Sequence, residues 1–334
     1  MTSFLSRAFA LAVAGGVLAC LSLHAQTTDC GVAGTNNAFL GIETIPLWPG
    51  TPPQSKGNGC DDIPTITIVS PRMGMANGSA VVIFPGGAYA HLAADLEGRE
   101  VADWFTSRGF KAFIISYRLT SHGYVLPVPL LDARRAIQTV RAKAAEYHIA
   151  PDRIVTIGFS AGGHLAALAA VQPVAGDPTA SDPVERVSSR PDYLVLGYPW
   201  LGAITTDTSH LSYCKMFSLM GQCDALKAKY TPALFVNKDT PPTFIYHTYN
   251  DHTVPIQQSL DFFQALVKAG VPAEYHVFAN GAHGSGLGKG DPALELWPSL
   301  LEAWMRAHGL LTVDASVAGA WRWRVAPAKK APEK

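Results

Sequence analysis

The sequence predicts an α/β fold, with a mainly parallel central sheet and helices on both of its faces. Three observations lead there. The 334 residues are 48% apolar and only 16% charged, enough apolar material for a large core. Short apolar, β-branched runs alternate with segments whose apolar residues recur at helical spacing. One of the runs, residues 80–84, is apolar throughout and reads as a buried strand, the kind a parallel sheet covered by helices holds.

The elements follow in order. Residues 26–62 are rich in Gly, Pro, Thr and Asn and read as an extended N-terminal segment. Residues 63–70 interleave Ile and Val with Thr, a strand pattern. Residues 80–84 form a short apolar run that stops at Pro85-Gly86-Gly87, so a buried strand there gives way to a tight loop. Val101, Trp104 and Phe105 give helical spacing to residues 97–108, and residues 111–117 form the next strand. Leu131, Ile137, Val140 and Ala144 extend a helical period over residues 130–147. A strand at 153–158 is followed by an Ala-rich helix at 161–171. Strands are expected at 193–197, 243–248 and 273–278, and helices at 259–269 and 294–307. Residues 173–190 and 200–240 read as loop-rich insertions that could wall a pocket. The catalytic domain is expected over 63–311, with a partly disordered tail at 312–334 that carries Trp321 and Trp323.

Residues 1–25 read as a signal peptide. Arg7 precedes an uncharged, apolar stretch from Ala8 to Leu23, and Ala25 offers a small residue at the cut before Gln26. The stretch falls short of the roughly 20 residues a spanning helix needs, so no stable membrane insertion is expected after cleavage. Lipid attachment at Cys20 is the weaker alternative. The protein is therefore expected to be secreted or periplasmic. Cleavage leaves Cys30, Cys60, Cys214 and Cys223, and an even number in an exported chain suits disulfides. Proximity in sequence favours Cys30–Cys60 and Cys214–Cys223, although four cysteines allow three pairings.

Lys plus Arg equals Asp plus Glu at 26 each, so no strong field draws in nucleic acid. A small-molecule or oligosaccharide partner fits better. No phosphate loop, zinc motif or calcium loop occurs, and no cofactor is expected. What the chain does hold is Gly158-Phe159-Ser160-Ala161-Gly162-Gly163, the Gly-x-Ser-x-Gly nucleophile elbow, set between a strand and a helix. A serine on such a turn is exposed only if its neighbours two residues away lack bulk.

The serine hydroxyl needs a base, and the base needs an orienting acid. His283 lies in Asn280-Gly281-Ala282-His283-Gly284, directly after the strand at 273–278. Asp251 lies in Asn250-Asp251-His252-Thr253-Val254-Pro255, directly after the strand at 243–248. The order Ser, acid, His is that of the α/β-hydrolase fold. For the oxyanion, Ala161 follows the nucleophile, and Gly87, with Gly86 next, follows an early strand. Tyr89, Tyr198 and Trp200 are candidates for the substrate pocket. Glu97 and Arg118 are expected to form a buried structural pair. His164, one turn beyond Ser160, is as well explained by packing as by catalysis.

These residues also carry a resemblance. Phe84-Pro85-Gly86-Gly87-Ala88-Tyr89, Tyr117-Arg118-Leu119, the run from Gly158 to Leu165, the run from Asn250 to Pro255 and Gly281-Ala282-His283-Gly284 together resemble one esterase/lipase group of α/β hydrolases. It includes acetyl esterases, acetylxylan esterases and bacterial feruloyl esterase-like enzymes, and the likeness runs from about residue 63 to residue 307. The resemblance implies the same Ser160, Asp251 and His283, and structural roles for Glu97-Gly98 and Tyr117-Arg118. It also implies esters of acetyl or feruloyl groups on carbohydrates such as xylan. One departure is Pro85 before two glycines, where lipases of the broader group often carry His-Gly-Gly-Gly; it leaves the second oxyanion donor open. Two other readings compete. A serine peptidase of the prolyl-oligopeptidase type would use the same triad. A non-catalytic binding protein on this scaffold would be expected to have lost triad residues, and all three are present.

Overall fold

The computed structural model describes residues 42–202 and 223–314. Its strands, in chain order, are β1 (Thr44–Pro46), β2 (Thr65–Val69), β3 (Ala80–Phe84), β4 (Lys111–Ser116), β5 (Ile154–Phe159), β6 (Tyr193–Gly197), β7 (Thr243–Thr248) and β8 (Ala273–Phe278). They form one sheet in the order β1-β2-β4-β3-β5-β6-β7-β8. The β1–β2 and β2–β4 pairs are antiparallel, and every pair from β4 to β8 is parallel. The helices are α1 (Glu100–Thr106), α2 (Val128–Ala142), α3 (Ala144–Tyr147), α4 (Ser160–Val171), α5 (Cys223–Tyr230), α6 (Gln257–Lys268) and α7 (Trp297–Ala307).

Burial explains the patterning. β3, β5 and β7 are buried at every position, while β8, at the edge, is buried at none. α4 is apolar all round and buried along its whole length, as a helix enclosed by the core must be. Its run of alanines keeps it thin enough to lie close on the sheet. From β3 the chain passes to β4 on one side, and α2 then carries it back to β5 on the other. In such sheets a crevice opens at the carboxyl ends of the strands where the order reverses, which here is the end of β3 beside β5.

Several elements differ from expectation. The N-terminal segment contributes an edge strand, β1. Three residues are too few to show a period, and their conformation comes from pairing with β2, including a Thr44–Thr67 hydroxyl bond of 2.9 Å. The helix expected at 97–108 opens with a wider π turn, Ala94–Arg99, before α1. The helix expected at 130–147 divides at Lys143 into α2 and α3.

The expected Glu97–Arg118 pair does not form. Arg118 instead makes a bidentate pair with Asp132 of α2, with Nη2–Oδ1 at 2.6 Å and Nε–Oδ2 at 3.0 Å. Both residues are buried, and Nη1 donates to the carbonyl of Pro53. The sequence hides this partner because a fully buried carboxylate inside a helix looks like any surface helix acid.

At the far end, Asp314 donates its N–H to Asn77 and its carboxylate meets Arg153 Nη1 at 3.2 Å, so the fold includes the first residues of the expected tail. The leader at 1–25, Cys20, Cys30, Cys214, Trp321 and Trp323 lie outside the described residues, as does the side chain of Cys223.

Candidate active site

Ser160 stands where β5 passes directly into α4, and its φ of +50° is left-handed. A non-glycine residue there carries about 1–2 kcal/mol of backbone strain. The glycines of the elbow have separate reasons. A Cβ on Gly158 would collide with the carbonyl of Gly162, and one on Gly162 with the carbonyls of Phe84 and Pro85. A Cβ on Gly163 would press on Pro199 at 2.7 Å. The spacing is thus the condition for α4 to start hard against the end of β3.

Strand register brings the oxyanion loop alongside. Phe84 pairs with Gly158, so Gly86, two residues on, meets Ser160, two residues on. A Cβ on Gly86 would lie 3.0 Å from that of Ser160. The structure separates the two glycine candidates. The N–H of Gly86 donates to Glu97 Oε2 at 2.6 Å and is already committed, which corrects the reading of Gly86 as a ready donor. Gly87 has φ +126°, and Ala88 and Tyr89 follow at +55° and +58°, a run of three left-handed residues. Among the described residues no acceptor takes the N–H of Gly87 or of Ala161.

Asp251 and His283 arrive on the loops after β7 and β8. His283 Nε2 lies 2.9 Å from Ser160 Oγ, and His283 Nδ1 lies 2.7 Å from Asp251 Oδ2. A carboxylate accepts, so Nδ1 carries the proton and the Nε2 lone pair faces the serine. The other oxygen, Asp251 Oδ1, accepts the N–H groups of Thr253 and Val254, both at 2.8 Å. Burial raises the proton affinity of Asp251, but the hydrogen bonds from His247 and His283 and the charge of His283 outweigh it. The carboxyl is held well below its usual range. Gly281, at φ +148°, passes so close to Thr248 that a Cβ would sit 2.6 Å from its methyl.

Behind the three lies a buried carboxyl. Glu97 accepts from Gly86 through Oε2 and from the Tyr198 hydroxyl through Oε1 at 2.8 Å. Burial pushes its pKa up, against the hydrogen bonds from Tyr198 and Gly86 and the nearby His283. The Tyr198 hydroxyl accepts from the N–H of Gly286 at 2.9 Å, and its ring meets His283 edge-on at 5.0 Å. The pocket assignments therefore change. Tyr198 is buried with its hydroxyl turned to Glu97. Tyr89 is buried with its hydroxyl 2.7 Å from His164 Nδ1, and Trp200 is buried with its ring against His164 at 4.7 Å. All three side chains are buried and engaged with these neighbours.

His164 is neutral. Its Nε2 faces the carbonyl of Tyr230 at 2.7 Å and so carries the proton, and burial drives its pKa down to about 4. His247 is the residue that sequence reasoning missed. It lies inside β7 and contacts Asp251. The available signal was a histidine directly after Phe244-Ile245-Tyr246 in a strand, which needs a buried polar partner, four residues before a carboxylate. Among the described residues no group of three or more His, Cys, Asp or Glu is placed to hold a metal, and no helix is long and apolar enough to cross a membrane.

Residues 66–190 match the family described as BD-FAE, and residues 192–308 match the prolyl oligopeptidase family. The crystal structure of an acetyl ester-xyloside bifunctional hydrolase from Caldicellulosiruptor lactoaceticus is 36% identical. It aligns over 80% of this chain and 97% of its own, with a TM-score of 0.72. The chain belongs to the esterase group of the α/β hydrolases. Within that group, endo-1,4-β-xylanase B of Butyrivibrio fibrisolvens is 32% identical over 208 residues, which are 61% of this chain and 32% of the relative. Acetylxylan esterase of Xylanibacter ruminicola is 28% identical over 222 residues, 64% of this chain and 42% of the relative. The chain thus spans well under half the length of these two curated relatives.

Proposed function

We propose that the protein is a serine carboxylic-ester hydrolase, acting through an acyl-enzyme on acetyl or feruloyl esters of carbohydrates such as xylan. The observation that carries the reading is the linked pair of contacts from Ser160 to His283 to Asp251. Ser160 Oγ attacks the ester carbonyl while His283 Nε2 takes its proton. Asp251 holds the ring through Nδ1 and stabilises the imidazolium that forms. The N–H groups of Gly87 and Ala161 receive the oxyanion, and the N-terminus of α4 adds its positive end. His283 then returns the proton to the leaving alcohol. Water, activated by the same ring, releases the acid. Relatives named for acetyl esters and xylan support the substrate class.

The match of residues 192–308 to the prolyl oligopeptidase family favours a second reading, a serine peptidase, since the same groups cleave amides. One experiment separates the two and tests the first. Wild type and Ser160→Ala are compared on p-nitrophenyl acetate, acetylated xylan and a peptide anilide. Ester turnover is expected in the wild type, with a loss of roughly 10⁶-fold in the variant. Full ester turnover by a folded Ser160→Ala would overturn the role of Ser160. A wild type that cleaves only the anilide would overturn the esterase.

We also assign the protein to an exported compartment, with the leader cut before Gln26. The same reading pairs Cys60 with Cys30 in a disulfide, which an oxidising compartment would permit.

A further inference from the structure

The Asp251 carboxylate serves two histidines. Its Oδ2 atom meets Nδ1 of His283 at 2.7 Å and Nε2 of His247 at 3.2 Å. His247 is fully buried inside β7. Its Nε2 faces a second acceptor, the carbonyl of Val254, at 3.0 Å. With two acceptors and no donor before it, Nε2 must carry a proton. On the other side, Nδ1 lies 2.7 Å from the Ser259 hydroxyl of α6, which donates to a neutral ring. The groups form one line: Ser259, His247, Asp251, His283, Ser160. The other titratable groups facing it are Tyr275 of β8, beyond Ser259, and Tyr198 and Glu97, behind His283.

We propose that His247 is a positioning residue for the reaction at Ser160, donating Nε2–H to the same carboxylate oxygen that holds His283. This inference rests on the esterase reading and deepens it. A donor on Oδ2 does two things. It fixes where that oxygen points, so the His283 ring is held at one angle to Ser160. It also draws charge from Oδ2, so His283 faces a carboxylate already partly satisfied. Without the donor, the charge on Oδ2 acts on His283 alone. The imidazolium is then favoured, and the neutral base that attack requires appears only at higher pH. A residue that merely fills space in β7 would alter stability and leave the pH profile where it was.

Two substitutions isolate the donor. His247→Asn places its amide near the position of Nδ1, keeping a partner for Ser259 and removing the donor to Asp251. His247→Gln reaches the position of Nε2 and restores it. In His247→Asn, kcat on p-nitrophenyl acetate is expected to fall roughly 10–100-fold with KM little changed, by analogy with the outer-shell partners that orient metal ligands. The acid limb of kcat/KM is expected to move up by about one pH unit, the scale of one charge-assisted hydrogen bond. His247→Gln should recover most of both. A folded His247→Asn with the wild-type acid limb would overturn the proposal, as would equal profiles for Asn and Gln.

The ring itself supplies a measurement that needs neither variant nor substrate. Nitrogen chemical shifts of His247 in the full wild-type protein should show Nε2 protonated and Nδ1 not. The reverse tautomer overturns the proposal. A chain without esterase activity would defeat the functional reading and leave this measurement intact, so the two failures are distinguishable.

Discussion

The reactive groups are ordinary side chains whose protonation is set by what surrounds them. His164 shows this most simply. It lies one turn beyond Ser160 but points away from the chemistry, between Tyr89 and the carbonyl of Tyr230. Burial lowers its pKa from 6.5 to about 4. The unfolded chain therefore binds a proton on this residue at a pH where the folded chain does not. The stability this residue contributes is full above about pH 6.5 and is lost as the pH falls toward 4. Linkage puts the loss at about 3 kcal/mol. Denaturant titrations of wild type and His164→Gln from pH 7 to pH 4 check this. Glutamine keeps a donor and an acceptor without titrating, so the variant should give the flatter curve. Equal slopes would remove His164 as the source.

Elements are joined by a small number of buried contacts, and the Arg118–Asp132 pair is the clearest. It fastens the end of β4 to α2 and, through Pro53, to the N-terminal segment. Taking either partner away strands a charge in the core. Asp132→Asn is expected to cost about 3–5 kcal/mol, the range for breaking a buried pair. Thermal and denaturant unfolding measure it. A loss below about 1 kcal/mol, the level of a surface pair, would show that water reaches Arg118. The register of β3 with β5 works at the same scale. It sets Gly86 beside Ser160 without any side-chain contact. The loop after β3 is held in turn by Glu97, whose own strand-to-helix turn is packed against Tyr198 and the Gly286 loop.

For the whole molecule, the proposed export bears on the cysteines. With the leader cut before Gln26 as proposed, the chain is expected to carry two disulfides. Intact mass of the non-reduced secreted protein, before and after thiol alkylation, tests this, and four alkylated thiols would overturn it. Much of the architecture was legible because parallel strands leave continuous apolar runs such as 80–84 and 193–196, and helices leave spacing such as Val101, Trp104 and Phe105. The meeting of Ser160, Asp251 and His283 was legible because each follows a strand and all parallel strands end on one side of the sheet. What stayed hidden was set by tertiary partners. β1 exists only through its pairing with β2. Asp132 looks like a surface acid until Arg118 is buried against it. Gly86 stays a second candidate behind Gly87 until Glu97 takes its N–H. Tyr89, Tyr198 and Trp200 sit near the site in sequence, yet their orientation depends on His164 and Glu97, which no periodicity reveals.

The left-handed residues Ser160, Ala88, Tyr89 and Tyr198 have one more consequence, for protein engineering. At Ser160 and Ala88, whose side chains are small, glycine would release about 1–2 kcal/mol of strain against the roughly 0.5–1 kcal/mol that its extra freedom costs, whereas at the buried Tyr89 and Tyr198 the cavity left behind would cost about 3–5 kcal/mol. A screen that rewards heat resistance alone will therefore drift toward glycine at Ser160 and Ala88. These are the nucleophile and a residue of its oxyanion loop, so the hardiest variants from such a screen will tend to be the least active. Thermostabilisation of this chain is best confined to surfaces remote from the carboxyl ends of β3, β5 and β6.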